Sequence, residues 1–353
     1  MPRFSGRNNQ VRVLIAMSGG VDSSVAALMM KNAGHEVVGA TMKLWGGVSD
    51  SGCCSVSDVA DARMVAGRIG IDHHVFNFTE EFESNVVDHY VKSYSSGLTP
   101  NPCIECNRKI KFDLFIDRAL RLGFDMVATG HYARVEERVD GFHLLRGIDP
   151  KKDQSYVISM LNQQRLGRLI LPIGDFPKEQ VREIAKDAGL ITASKPDSQD
   201  VCFIASTTSR VEFLSKRTAV HEGVIVDSDT GSELGKVEAI ETVTIGQRRG
   251  LGTVGDSKRR YVIEVRNDER KIVMGTLDDT YASMLHFGDL ATTLGPIEEG
   301  SHVMIQTSSH GYVKGGTFWL DRVELDEPIR KVAPGQTVAF YRDDEVLGSG
   351  VVR

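Results

Sequence analysis

Val11-Arg12-Val13-Leu14-Ile15-Ala16-Met17-Ser18-Gly19-Gly20-Val21-Asp22-Ser23-Ser24 is the stretch that decides the fold. An apolar, β-favouring run over 11–17 breaks at Ser18-Gly19-Gly20, and a helix-period pattern follows over 21–33. Strand, glycine turn and helix in that order are where an open α/β sheet presents ligands. The paired glycines let backbone approach a phosphate, the serine hydroxyls donate hydrogen bonds, and the helix N-terminus adds unpaired N–H groups and a favourable dipole. This is not a Walker A loop, because Val21 and Asp22 follow the second glycine where GxxxxGK[ST] needs a lysine; nor does it read GxGxxG. Taken without its surroundings, a Gly-Ser turn before a helix is also an ordinary cap.

The pattern continues outward. Residues 37–44, 74–78 and 125–129 read as further strands, and 57–69, 80–94 and 107–122 as helices between them. Such alternation implies a Rossmann-like parallel sheet covered on both faces. Residues 134–137 and 142–145 read as a local hairpin, and a helix over 178–188 follows Pro177 and stops at Gly189. Beyond about Ser206 the texture changes to short β-rich runs with frequent glycine, at 223–226, 260–265, 271–274 and 338–341. These predict a small central β-rich domain and then a C-terminal barrel or sandwich. The expected division is 1–205, 206–280 and 281–353.

A chain of 353 residues with 41% hydrophobic side chains can build several globular cores. No apolar run approaches the roughly 20 residues of a membrane-spanning helix, and the N-terminus lacks the features of a signal peptide. A cytoplasmic protein without a membrane partner is expected. Five cysteines without a secretion signal argue for reduced thiols rather than a structural disulfide framework. The net charge of −6 argues against a uniformly basic nucleic-acid coat but leaves room for a local basic face. Arg248, Arg249, Lys258, Arg259 and Arg260, opposed only by Asp256, offer one; a solvated loop would look the same.

Two cysteines have suggestive surroundings. Cys106 lies in Thr99-Pro100-Asn101-Pro102-Cys103-Ile104-Glu105-Cys106-Asn107, where prolines stiffen a loop before a helix expected to begin near Asn107. A thiol at that helix N-terminus, near Arg108 and Lys109, has its thiolate favoured. Cys202, in Asp197-Ser198-Gln199-Asp200-Val201-Cys202-Phe203, enters an apolar run that reads as a strand, where a cysteine is commonly a small core residue. His73 and His74 have no carboxylate or thiol at metal spacing and read as packing and surface residues.

SGGVDSS resembles the pyrophosphatase-loop ATPases, which cleave ATP between its α and β phosphates and adenylate an oxygen. With the two cysteine segments, Thr129-Gly130-His131-Tyr132-Ala133, Lys152-Asp153-Gln154-Ser155-Tyr156 and Thr244-Ile245-Gly246-Gln247-Arg248-Arg249-Gly250-Leu251-Gly252, the chain closely resembles the tRNA-specific 2-thiouridylase family. The matching stretches span most of 11–255; the last hundred residues match loosely, with Gln306, Thr307 and Arg342 standing where other RNA-contacting residues are usual.

The resemblance implies ATP-dependent 2-thiolation of the wobble uridine of a tRNA anticodon. It makes Cys202 the persulfide carrier and Cys106 the nucleophile that pairs with it as a disulfide. It places ATP, with Mg2+, on Ala16, Met17, Ser18, Gly19, Gly20, Val21, Asp22, Ser23, Met42 and Gly130. It sets Asn101, Pro102 and Cys103 against the target base, and His131, Lys152, Asp153 and Gln154 on tRNA, to which charge adds Arg248 and Arg249. Sulfur would come from a relay donor protein or a cysteine desulfurase.

Cys103 departs from the family, whose commonest form has an aspartate there with an acid-base role. Cys103, Cys106 and Cys202 are also three soft ligands, enough for an iron-sulfur cluster with an open iron position or for zinc with one outside ligand. Cys53 and Cys54 match a family segment without a derivable role. Two other functions share the phosphate loop: a small-molecule amide ligase, which needs no paired thiols, and a non-catalytic RNA-binding scaffold.

Overall fold

The computed structural model describes residues 10–45, 55–197, 203–204, 208–251 and 259–353. Strands β1 (Arg12–Ala16), β2 (Glu36–Lys43), β3 (Asp72–Asn77) and β4 (Met126–Ala128) come first, followed by the hairpin β5 (Ala133–Arg138) and β6 (Gly141–Arg146), and then β7 (Leu169–Ile170). Five of them form a parallel sheet in the order β3-β2-β1-β4-β7. The period-2 geometry of β1 explains its continuous apolar reading. Val13 and Ile15 pack with Val21, Val25 and Ala26 on one face, while Leu14 and Ala16 pack with Phe78, Phe82 and Phe115 on the other. Chain order reverses between β1 and β4, so a crevice opens at their carboxyl ends.

Helix α1 (Val21–Asn32) starts at Gly20 without any side-chain cap. By contrast, α2 (Val56–Ile69) carries a full capping box between Ser55 and Asp58 and ends on left-handed Gly70. Two expected helices differ in detail. The first runs over Thr79–Ser95 but contains a π turn at Glu83–Val87. The second begins five residues earlier than expected, at Pro102, and continues through a π-helical stretch, Cys106–Leu114, to Arg121. Asn101 is its N-cap, accepting the Cys103 N–H at 3.1 Å, and Pro102 takes the first helical position, where its missing N–H costs nothing. The proline read as stiffening a loop is therefore a helix starter.

Beyond the sheet, β8 (Gly223–Asp227), β9 (Glu233–Val237), β10 (Tyr261–Arg266) and β11 (Lys271–Gly275) form a small sheet around Ile225, Ile240, Val262 and Ile272. The last strands are β12 (Tyr281–Thr292), β13 (His302–Gln306), β14 (Lys314–Phe318), β15 (Arg322–Arg330), β16 (Thr337–Arg342) and β17 (Glu345–Val352). They run β12-β15-β14-β13-β16-β17, and a further β12–β17 pairing closes the ring around Phe287, Phe318 and Phe340. Between barrel and sandwich, it is a barrel. The β5–β6 hairpin is more than local, since Leu145 of β6 pairs with Glu345 of β17, which joins the barrel to the hairpin that lies between β4 and β7 in the chain. Among the described residues, no helix is long and apolar enough to cross a membrane.

Candidate active site

The phosphate loop fills the β1 side of the crevice. Ser23 Oγ accepts the Ser18 N–H at 3.1 Å and donates to the Gly20 carbonyl, and Ser24 Oγ also donates to that carbonyl at 2.7 Å. These bonds fold the loop back on the first turn of α1. Gly19 sits at φ +73°, where a side chain is strained and would collide with the Asp58 carbonyl of α2. Gly130, just past β4, lies so close to α1 that an added Cβ would stand 2.7 Å from the Asp22 carbonyl carbon and the Ser23 nitrogen. The two loops that resemblance assigns to ATP thus touch, with no room for any residue but glycine.

Asp22 projects from the first turn of α1 into an ion network. Its carboxylate accepts from Tyr132 Oη at 2.8 Å and from Lys178 Nζ at 2.7 and 2.8 Å. Burial and the neighbouring Asp22 charge push the Tyr132 phenol far above its ordinary pKa, so it stays a donor. Lys178 Nζ also lies 2.8 Å from Asp197, which further takes Lys152 at 2.7 Å and Arg182 at 2.9 Å. Burial alone would raise the Asp197 pKa, but the hydrogen bonds and charges of Lys152 and Lys178 outweigh it and hold the carboxyl at about 2. Lys195 in turn bridges Asp58 and Asp61 of α2. Lys195 and Asp197, at the start of the stretch that leads to Cys202, are therefore tied to the walls of the phosphate crevice.

Nothing in the spacing of Lys178 sets it apart, yet a physical signal exists. It is a buried cation in the first turn of the helix Lys178–Asp187, where the dipole disfavours positive charge. Only an anion on its far side makes that position favourable.

The thiol segment lies on the helix that starts at Pro102. Because the helix begins there, Cys103 rather than Cys106 occupies its first turn; Cys103 is exposed and Cys106 is buried one turn later. Arg108, expected to lie near the Cys106 thiol, pairs with Glu105 at 2.7 Å. Asn107 donates to the Val157 carbonyl at 2.9 Å.

The family described as the tRNA methyl transferase HUP domain matches residues 11–206, the tRNA methyl transferase PRC-barrel domain 211–276, and the aminomethyltransferase beta-barrel domain 317–352. The tRNA-specific 2-thiouridylase MnmA of Carboxydothermus hydrogenoformans is 43% identical over 358 residues, covering 97% of each chain. That of Mycobacteroides abscessus is 44% identical over 362 residues, covering 97% of this chain and 99% of its own length. The chain belongs to the tRNA-specific 2-thiouridylase family. Among solved structures, the U34-tRNA thiolase NcsA of Methanococcus maripaludis with its 4Fe-4S cluster is similar at 17% identity and a TM-score of 0.39, covering 59% of this chain and 64% of that one. That likeness is too loose to bear on function.

Within this 2-thiouridylase frame, the remaining family positions fall in different surroundings. His131 is buried, its Nδ1 2.8 Å from Thr129 Oγ1 and its ring 5.5 Å from that of Phe112. Burial, and then the Lys111 charge, push its pKa down to about 3, so it is neutral at physiological pH. Lys152 is engaged by Asp197. Asp153 accepts from Arg146, Ser155 and the Gly147 N–H, and Gln154 accepts the Tyr132 N–H at 3.0 Å. Arg248, Arg249 and Arg259 are exposed, whereas Arg260 is drawn to Asp227 at 2.7 Å. Met42 is buried at the end of β2.

Cys202, Cys53, Cys54 and Lys258 lie outside the described residues. Phe203 and Ile204 are in a turn and bend rather than the expected strand; the Phe203 ring packs among Trp45, Phe82, Tyr90 and Phe213, and aromatic packing, not sheet pairing, buries it. His73 bonds Thr41 at 2.9 Å, a packing role. Among the described residues, no three His, Cys, Asp or Glu side chains are grouped to hold a metal.

Proposed function

We propose that the chain is a tRNA-uridine 2-sulfurtransferase acting on the anticodon wobble position. The observation that carries this reading is the shared Lys178. One cation holds both the phosphate-loop carboxylate Asp22 and Asp197, the anchor of the stretch running to Cys202. That tie fixes the start of the Cys202 stretch at the phosphate crevice, which supports nucleotide and sulfur chemistry acting together and is not needed by a ligase or a scaffold.

In the proposed reaction, ATP lies with its phosphates over Ser18–Ser23 and Gly130. The uridine C2 oxygen attacks the α phosphorus, forming an adenylate and releasing pyrophosphate. Lys178 and the α1 N-terminus offset the charge developing on the leaving group. Asp22 suits a magnesium ion that arrives on those phosphates, since Mg2+ favours one or two carboxylates plus phosphate oxygens. The terminal sulfur of a Cys202 persulfide, charged by a donor protein, then attacks C2 and AMP departs. The Cys106 thiolate attacks the Cys202 sulfur, leaving 2-thiouridine and a Cys106–Cys202 disulfide that an external reductant resets. Alternatively, Cys106 first releases hydrosulfide from the persulfide, and that sulfur attacks.

The target base leaves the anticodon stack to lie against Asn101, Pro102 and Cys103, with Lys152, Arg248 and Arg249 on the RNA side, while His131, buried against Thr129 and Phe112, supports the pocket from beneath. The three-cysteine cluster is the second reading for the thiols, favoured by Cys103 standing in the first turn of the same helix as Cys106. Incubation with tRNA, ATP and a sulfur donor, followed by nucleoside mass spectrometry, tests the proposal. Wild type is expected to form 2-thiouridine and Cys202→Ser none, while Cys202→Ser retains ATP binding. Absence of 2-thiouridine from both would overturn it.

A further inference from the structure

Residues 244–250 form a surface turn of the central domain that is fastened at every level. Its feet are Val243 and Leu251, both buried in the cluster of Ile225, Val262 and Ile272. Two backbone bonds tie it to β10: the Gly246 N–H donates to the Val262 carbonyl at 2.8 Å, and the Val262 N–H donates to the Gln247 carbonyl at 2.9 Å. Gln247 then closes the turn. Its N–H donates to the Thr244 carbonyl at 3.0 Å. Its side chain spans the loop, Oε1 accepting the Thr244 N–H at 3.1 Å and Nε2 donating to the Arg249 carbonyl at 3.0 Å. Left-handed Gly246 and Gly250, at φ +83° and +76°, bracket the three residues between them.

What the turn carries is two adjacent cations. Arg248 and Arg249 are exposed, and among the described residues neither meets a carboxylate. Other arginines of the same domain are neutralised: Arg260 lies 2.7 Å from Asp227 and Arg266 2.8 Å from Glu264. Two like charges side by side repel each other, so the fastening holds an arrangement that folding alone does not favour. A ligand with successive negative charges makes it favourable. On a tRNA that ligand chemistry is the phosphate backbone.

We infer that Gln247 is a positioning residue for RNA, whose side chain holds Arg248 and Arg249 as a pre-formed grip on neighbouring phosphates of the tRNA. This rests on the proposed function, which sets the two arginines on the RNA side, and adds that the backbone beneath them is ordered before RNA arrives. The arginine side chains still lose rotamer freedom on binding, but the turn does not. Because phosphates carry no base identity, the grip contributes affinity and register rather than choice of tRNA.

Fluorescence-anisotropy titration of the full-length chain with tRNA, over a range of salt concentrations, tests this. Gln247→Met keeps an unbranched side chain of similar length and removes both side-chain bonds. It is expected to raise the Kd about fivefold, by the same factor for a tRNA with uridine at the wobble position and for one without. The salt dependence is expected to stay unchanged, because both charges remain. Gln247→Asn, too short to span the turn, is expected to do the same. Replacing both arginines by alanine is expected to raise the Kd more than tenfold and to flatten the slope of log Kd against log salt by about 1.5. In that background Gln247→Met should add nothing. An unchanged Kd in both Gln247 variants would overturn the inference. So would the same fivefold loss with and without the arginines, because a purely structural turn acts whatever it carries. Arginine variants that bind tRNA as wild type does at every salt concentration would remove the grip altogether. Wild type that binds in the expected pattern yet makes no 2-thiouridine would sink the functional reading alone.

Discussion

The phosphate loop and the thiol helix are the two halves of the proposed site, and they are built in opposite ways. The turn over residues 18–24 is folded by bonds spanning five residues or fewer, among Ser18, Gly20, Ser23 and Ser24, and only the Asp22 side chain reaches far along the chain, to Tyr132 and Lys178. The helix from Pro102 to Arg121 starts on a local cap, but it and the segment just before it are held by residues 50 to 237 positions away, through Val157 bonded to Asn107 and Gln336 bonded to Thr99. The difference teaches that the nucleotide half is a motif, whereas the sulfur half is an assembly. Changes within the first should act on nucleotide chemistry directly; changes in the second should act through position.

The largest expected effect attacks the bridge between the halves. Lys178→Ala removes the cation shared by Asp22 and Asp197, and tRNA-dependent pyrophosphate release is expected to fall by about a hundredfold or more. An unchanged release rate in a folded variant would separate the two halves again. Gly130→Ala acts next. Its Cβ must push the β4 loop away from backbone atoms of Asp22 and Ser23, so a rise of about tenfold in the KM for ATP is expected, with the Cys106 alkylation rate unchanged. A simultaneous change in that rate would show the halves to be less separable than their bonding suggests.

Asn101→Ala sharpens the contrast at smaller cost. Losing the cap oxygen is expected to lower global stability by about 1 kcal/mol in urea titration, while Asn101→Ser keeps most of that stability. Equal losses in the two would mean that the cap oxygen contributes little.

The smallest effect concerns the stitch between hairpin and barrel. His143 is buried between Asp140 at 2.9 Å and Glu345 of β17 at 2.7 Å, with the Arg138 guanidinium 3.3 Å away. Burial lowers its pKa, but the two carboxylates outweigh burial and raise it above the ordinary 6.5. A raised folded-state pKa favours the folded state when protonated. This contribution is full below pH 6.5 and is lost as pH rises through the folded value. Wild type should therefore lose more thermal stability than His143→Gln as pH is raised from about 6 to about 9. Parallel curves would remove His143 from the junction's energetics.

Much of the first sheet was legible because a parallel strand buried on both faces must be apolar throughout, as Val13 to Ala16 are, and because helix starts carry chemical marks. Asn101-Pro102 carried such marks too, but a proline read as stiffening a loop concealed that it starts the helix. The barrel was legible only as a texture of short strands, since closure depends on β12 meeting β17 across some sixty residues. Lys178, Tyr132 and Asp197 escaped because each acts on a group far away in the chain. Asp22 and Lys178, for example, are 156 positions apart.

The sequence by itself determined the phosphate loop, the capped helices, the parallel sheet and, through its motifs, the family. Those are properties of local bonding, period and residue type, which a linear string contains. Only the tertiary structure decided which cation joins Asp22 to Asp197, which thiol occupies the first turn of its helix, and that the barrel bonds Thr99 just before that helix. Such pairings depend on where folding brings distant residues, and the order of residues alone does not carry that distance.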